Sequence, residues 1–294
     1  ADRRTPRHPS PPPPPSHMPR TLYWGSGSAP AWRVQIALAE KGLVRVGGRG
    51  RVPPQAPADD ACGSIVARWR GGGAREPRGR RRRVAPIRRH PTAFHLHPSP
   101  QPYESVLCSF AAGEHKQPAI MAVNPRGQVP TLVDDDGAVA CESVAAVLYL
   151  DARYPESGTR LVPTAGPAMA VTLQRSLEVA NLDAAFRGCV YPRMRNLPQS
   201  DDEAAAKLQA LRDELARWEA HVAGGAWLAG EPFTAADAVF APLLLATIRF
   251  GATLAPTYPH LAAYAARAAA RPSVAGSWPP HWKEGAGPGF LAGV

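Results

Sequence analysis

Apolar residues recur with two different periods along this chain, and the change of period divides it. Residues 20–24 (RTLYW) read as a short strand, and Gly25–Pro30 as a turn rich in glycine and serine. Over Ala31–Leu43 the spacing becomes helical, with Trp32, Ile36, Ala39 and Leu43 falling on one face. Ser28 is the candidate N-cap of that helix, Pro30 suits its first turn and Gly42 its end. A second strand is expected at 102–110, with Val106, Cys108 and Phe110 on one face. A loop or short helix follows, then a strand from Val129, a turn at Asp135-Asp136-Gly137, a strand to Cys141 and a helix ending near Tyr154. Beyond residue 160 the pattern is helical throughout, in segments 168–194, 201–222, 234–251 and 260–273, before a tail rich in Gly, Pro and Trp. The prediction is an α/β unit built from 18–43 and 102–155, followed by an all-helical domain over 160–294.

Two segments lack this patterning. Residues 1–17 form a Pro-rich leader ahead of Met18, expected to be disordered and read as translated upstream sequence. Residues 44–101 are expected to be a disordered basic insertion. They hold 13 arginines and no lysine against Asp59, Asp60 and Glu76, an excess equal to the formal charge of +10 carried by the whole chain. Outside these two segments the chain is close to neutral, which suits a small-molecule enzyme better than a nucleic-acid binder. Without residues 44–101, LAEKGL would run directly into PYESVLCSF. The 58 residues begin with Val44 and end with Gln101, residues whose codons allow splice-site dinucleotides, so a retained intron or gene-model error is the reading adopted.

Composition narrows the chemistry. With 45% apolar and 20% charged residues the chain belongs to the soluble globular class. Cys62, Cys108, Cys141 and Cys189 make no C-x-x-C pair, so neither a zinc site nor a dithiol centre is expected, and a reducing, cytoplasmic location fits. His90, His95 and His97 lack cysteine or carboxylate partners and are not read as metal ligands. The apolar run Ala238–Ile248 is shorter than the roughly 20 residues of a membrane span.

The strings LYWGSGSAPAWRVQIALAEKGL, GEHKQPAIMAVNPRGQVPTL, ESVAAVLYL, FTAADAVFAPL and RPSVAGSWPPHW resemble the glutathione transferase superfamily, and within it the rho type known from fish. The resemblance implies a thioredoxin-like N-terminal domain, a helical-bundle C-terminal domain and a homodimer. It also implies conjugation of glutathione to hydrophobic electrophiles, a detoxifying reaction with glutathione as co-substrate and no cofactor or metal. Ser28 stands at the family spacing for the hydroxyl that stabilises the thiolate, with Ser26 and Tyr23 as rivals. Ala31 replaces the cysteine that fish members tend to carry. No cysteine stands at position 28, against the thiol-transfer classes. By the same resemblance Gln128, Val129 and a cis Pro130 bind the cysteinyl backbone, Glu142 and Ser143 the γ-glutamyl end, and His115 and Lys116 the glycyl carboxylate. Trp24, Phe186, Arg187 and Tyr191 are candidates for the acceptor pocket. Arg126 and Asp151 are read as structural, and Thr234 with Asp237 as a capping box. Two other functions remain: a noncatalytic carrier or translation-complex subunit of the same fold, and an RNA binder using the basic segment.

Overall fold

The computed structural model describes residues 19–50 and 102–294. The leader, the arginine run and His90, His95 and His97 lie outside them. A mixed sheet forms the first layer. Its strands are β1 (Thr21–Trp24), β2 (Val44–Gly50), β3 (Pro102–Leu107), β4 (Thr131–Val133) and β5 (Val139–Ala140), in spatial order β2-β3-β1-β4-β5. β1 is central, parallel to β3 with Thr21 opposite Glu104, and antiparallel to β4 with Leu22 opposite Leu132.

The expectation that residues 44–101 carry no regular structure is corrected at their start. Val44–Gly50 is an edge strand parallel to β3, with a register shift between Val46 and Gly48. Without it β3 would present a row of unpaired backbone groups, and such an edge accepts any extended segment through its main chain. Apolar periodicity gives no warning of a strand recruited that way. Residues 51–101 lie outside the described residues.

Helix α1 (Ala29–Glu40) starts at Ser28, carries Pro30 in its first turn and closes at Lys41. Gly42 follows at φ +67, and the Leu43 amide returns to the Leu38 carbonyl at 2.9 Å. The single apolar face read from the sequence is corrected here. Trp32, Ile36 and Leu43 are buried, but so is nearly every residue of α1, and Ala39 is the exposed one. The helix lies between the sheet layer and the helical domain, so polar side chains on it and at its end are buried instead of solvated. Lys41 reaches Asp151 at 3.0 Å, and Glu40 receives a forked bond from Arg271 at 2.6 and 2.7 Å and the Ser273 hydroxyl at 2.5 Å. Asp151 also accepts the amides of Leu161 and Val162, and so serves the structure.

That Glu40 contact joins the two domains. Burial works to raise the Glu40 carboxyl, but the Arg271 fork and the Ser273 hydroxyl outweigh it and hold it below the usual value. A depressed folded-state pKa contributes stability above the unfolded value of about 4.3, lost as pH falls through the lower folded value. Melting temperature is therefore expected to drop between about pH 5 and pH 3, and less steeply in Arg271→Ala than in the parent.

The rest of the first domain comprises a single 3-10 turn (Glu114–Lys116), α2 (Pro118–Val123) and α3 (Ser143–Arg153). Strand β3 ends earlier than expected: Val106 and Cys108 pack with Ile120, while Phe110 is 49% exposed in the following turn. The second domain contains α4 (Gly166–Met194), α5 (Asp201–Val222), α6 (Ala235–Arg249), α7 (Pro259–Ala270) and the short α8 (Pro272–Gly276). α4 buries Thr172, Ser176, Val179, Leu182, Phe186 and Cys189, a three-four spacing that makes one stripe. α6 is buried from Ala235 through Thr247 and packs on both α1 and α4. It is the central helix of the molecule, which explains an apolar run without amphipathic relief. Among the described residues no helix is long and apolar enough to cross a membrane.

Candidate functional site

The turn joining β1 to α1 is Gly25-Ser26-Gly27-Ser28. The Ser28 amide donates to the Gly25 carbonyl at 3.1 Å, and the Ser28 hydroxyl oxygen accepts from the Ala31 amide at 3.3 Å. The accepted bond satisfies one orphan N–H of the helix start and leaves the Ser28 O–H as a donor. No acidic residue stands in the first turn of α1, so the partial positive charge there is uncompensated. Of the two rivals, the Ser26 hydroxyl lies 2.7 Å from His281 Nδ1 and Tyr23 packs against the Val106, Cys108 and Ile120 cluster. Burial raises the thiols of Cys108, Cys141 and Cys189, Cys108 to about 11, so none of the three is a poised thiolate.

The Val129–Pro130 bond is cis, and Val129 is half-buried against the Val106, Cys108 and Ile120 cluster. Among the described residues neither the amide nor the carbonyl of Val129 has a hydrogen-bond partner, which leaves a strand-like pair of groups. The loop carrying them is pinned by Asn124, a buried residue whose amide nitrogen donates to the Gln128 carbonyl at 2.9 Å and to Thr131 Oγ1 at 3.0 Å. The Gln128 side chain is exposed. Sequence reasoning overlooked Asn124. An Asn-Pro pair ahead of a glycine is the turn signal that points to it.

At the start of α3, Glu142 occupies the cap position without a capping bond from its side chain, and it is exposed. Ser143 is the first helical residue, 8% exposed, and its hydroxyl accepts from Arg33 Nη1 at 3.2 Å. Arg33 is the largest omission from the sequence reading. It is buried in the middle of α1, donates through Nε to the Val239 carbonyl at 3.0 Å and has no partner for Nη2 among the described residues. Burial, opposed by Asp183 and reinforced by Arg187, pulls its pKa down to about 10. An arginine inside an otherwise apolar helical run was the available signal, because a buried charge persists only where its donors are used.

His115 and Lys116 sit together on the 3-10 turn. Partial burial and the neighbouring Lys116 depress the His115 imidazole, which also meets Phe110 edge-on at 5.4 Å. His115 is therefore suited to donate a hydrogen bond as a neutral ring, and Lys116 to supply charge. The Lys116 ammonium is exposed and donates to the Arg126 carbonyl at 2.9 Å.

The expected acceptor-pocket residues separate into two pairs. Trp24 and Phe186 are core: Trp24 is 4% exposed with its indole N–H on Ser105 Oγ, and Phe186 packs edge-on against Phe250. Large aromatic residues bury for packing more often than they line a cleft. Arg187 and Tyr191 are partly exposed on α4, the guanidinium paired with Asp183 at 2.8 Å and lying 5.4 Å over the Tyr191 ring. Among the described residues, one grouping has metal-ligand proximity, Asp134 with Asp135 and Asp136. Those carboxylates are already committed to Arg20, Arg153, Tyr149 and Tyr154.

Residues 93–158 match the family model described as the N-terminal domain of glutathione S-transferase, and residues 182–272 match that of its C-terminal domain. Glutathione S-transferase A of Pleuronectes platessa is 30% identical over 268 residues, covering 90% of this chain and 93% of the relative. Glutathione S-transferase 3 of Zea mays is 36% identical over 186 residues, covering 58% of this chain and 79% of that protein. The crystal structure of a glutathione S-transferase from the Antarctic clam Laternula elliptica matches with a TM-score of 0.69 at 27% identity, over 94% of this chain and 99% of the other. A Sulfitobacter homologue crystallised with bound glutathione shares the fold, with a TM-score of 0.59 at 21% identity, over 88% and 96% of the two chains.

Proposed function

Since this chain belongs to the glutathione S-transferase family, we propose that it holds the sulfur of glutathione at the turn before α1, with the Ser28 hydroxyl donating to the thiolate. The enzyme is a glutathione transferase. Its substrate thiol has a reference pKa near 8.5 and is only a few per cent ionised at pH 7, so the site must lower that value by roughly two units, or about 2.7 kcal/mol. A hydroxyl donor at an uncompensated helix N-terminus acts in that direction. The observation that carries the reading is the dual state of the Ser28 oxygen, an acceptor for the Ala31 amide whose own proton remains to be donated.

The rest of the tripeptide has matching groups. The Val129 amide and carbonyl suit the cysteinyl backbone as one more strand, with Gln128 beside them and Pro130 fixing the loop. The Ser143 hydroxyl and the free amides of α3 suit the γ-glutamyl carboxylate, and exposed Glu142 its ammonium. His115 and Lys116 suit the glycyl carboxylate. The thiolate then attacks an electrophilic carbon of a hydrophobic acceptor, which loses its leaving group or takes up a proton. Arg187 and Tyr191 border the acceptor side. Glutathione enters as co-substrate, and the reading invokes no cofactor.

A homodimer, detoxification and a cytoplasmic setting complete the proposal. Exposed Met169 and Leu177 on α4 support a pairing surface, and Cys108, Cys141 and Cys189, all unpaired, support a reducing compartment. Calorimetric titration with glutathione tests the binding half. Ser143→Ala is expected to weaken affinity by about tenfold, the loss of one hydrogen bond to a charged group. Unchanged affinity would place the γ-glutamyl end elsewhere.

A further inference from the structure

The segment after α8 turns back across the molecule to the loop that opens α1. Trp278 and Trp282 set their rings edge-on against Trp32 at 5.1 and 5.6 Å, and the Trp32 indole N–H donates to Ser277 Oγ at 2.9 Å. With Trp32 and Trp282 buried, this cluster fixes the segment on the first turn of α1. It carries His281 to the β1–α1 turn, where Nδ1 meets Ser26 Oγ at 2.7 Å.

The turn and the imidazole are in close approach at position 27, where the backbone conformation itself favours glycine. Gly27 has φ +79, and a Cβ there would lie 2.8 Å from His281 Cε1 and 3.2 Å from Trp282 Nε1. On the other flank a Cβ at Gly25 would lie 2.3 Å from the Phe110 ring. The turn thus lies between the Phe110 ring and the His281 imidazole, which approach it at Gly25 and Gly27, ahead of the cap residue Ser28.

The geometry points to His281 as a positioning residue for glutathione transfer, holding the Gly25–Ser28 turn through Ser26 and so fixing where Ser28 Oγ meets the sulfur. The inference rests on the assignment of Ser28 as thiolate donor. His281 is exposed, so its hydrogen bond adds little to global stability, which the tryptophan cluster already supplies. What an exposed bond at this point can do is orient. Small displacements of a catalytic group cost far more in rate than in folding. The pairing also assigns different work to the two serines of the turn, engaging Ser26 with the imidazole and leaving Ser28 for the ligand.

The test uses the full chain as Ser26→Ala, His281→Ala, the double variant, His281→Asn and Ser28→Ala. Four quantities are read: kcat, KM for glutathione, the ultraviolet absorbance of the bound thiolate at pH 7, and melting temperature. Either single substitution at 26 or 281 is expected to lower kcat about tenfold and reduce the thiolate absorbance, with KM and melting temperature little changed. The double variant should be no worse than either single one, as for residues acting in one chain of contacts. Asparagine, whose amide reaches the place of Nδ1, should restore most of the rate. Multiplied losses in the double variant, or losses that track a fall in melting temperature, would overturn the inference. Thiolate absorbance lost in Ser28→Ala but intact in His281→Ala would overturn it alone. Absorbance retained in Ser28→Ala would remove the assignment beneath it.

Discussion

Ser28→Ala is expected to lower kcat/KM for a chlorinated aromatic acceptor by about a hundredfold while glutathione affinity changes only a few-fold. The magnitude follows from the roughly two pKa units that the site must supply to the thiol. The asymmetry follows from geometry, since the groups matched to the tripeptide's two ends stand on α3 and on the 3-10 turn, away from the β1–α1 turn. Alanine also removes a helix cap, a loss of about 1 kcal/mol in stability. Two further variants separate the effects. Ser28→Asp keeps a capping oxygen and has no proton to donate, so it should fold like the parent and stay slow. Ser28→Thr keeps both and should retain most of the activity. Full activity in Ser28→Ala would move the role to Ser26 or Tyr23.

Asp237→Ala is expected to be the most damaging single change to the fold, lowering unfolding free energy by about 3–5 kcal/mol. Its carboxylate is fully buried at the start of α6 and accepts the Leu228 amide at 2.9 Å, the Thr234 amide at 2.8 Å, the Thr234 hydroxyl at 2.9 Å and the Tyr264 hydroxyl at 3.0 Å. Removing it strands four donors in a helix start that water does not reach. Asp237→Asn retains one acceptor oxygen and should lose less. The damage should extend to the site, because the Val239 carbonyl one half-turn on holds Arg33, and Arg33 holds Ser143. Urea unfolding followed by tryptophan fluorescence measures the first effect, and the KM for glutathione in the surviving Asn variant measures the second.

Much of this arrangement is legible in the residues alone. The helix read over 201–222 matches α5, Asp201–Val222, and it starts at a reciprocal cap of Ser200 and Glu203, chemistry local to a few adjacent side chains. Ser28, Gly42 and the Thr234–Asp237 pair were readable for the same reason. Contacts that depend on what lies across the molecule were not. Ala39 falls on the apolar stripe of α1 yet faces solvent, since a helix packed on several sides has no single buried face. Strand β2 is held by backbone pairing to an open edge, which side-chain periodicity does not report. Trp24 and Phe186 carry the residue types of an acceptor pocket but fill the interior. Arg33 and His281 matter because of partners 110 and 255 residues away, separations at which a linear reading offers no geometry.

The central claim is that the turn before α1 ionises a thiol, and titrating the glutathione bound to the protein tests it most directly. Followed by ultraviolet difference absorbance, the thiol in the parent complex should ionise about two units below the free value near 8.5. In Ser28→Ala, at saturating glutathione, that midpoint should return toward the free value. A midpoint equally depressed in both proteins would contradict the account, and so would one equal to that of free glutathione in the parent.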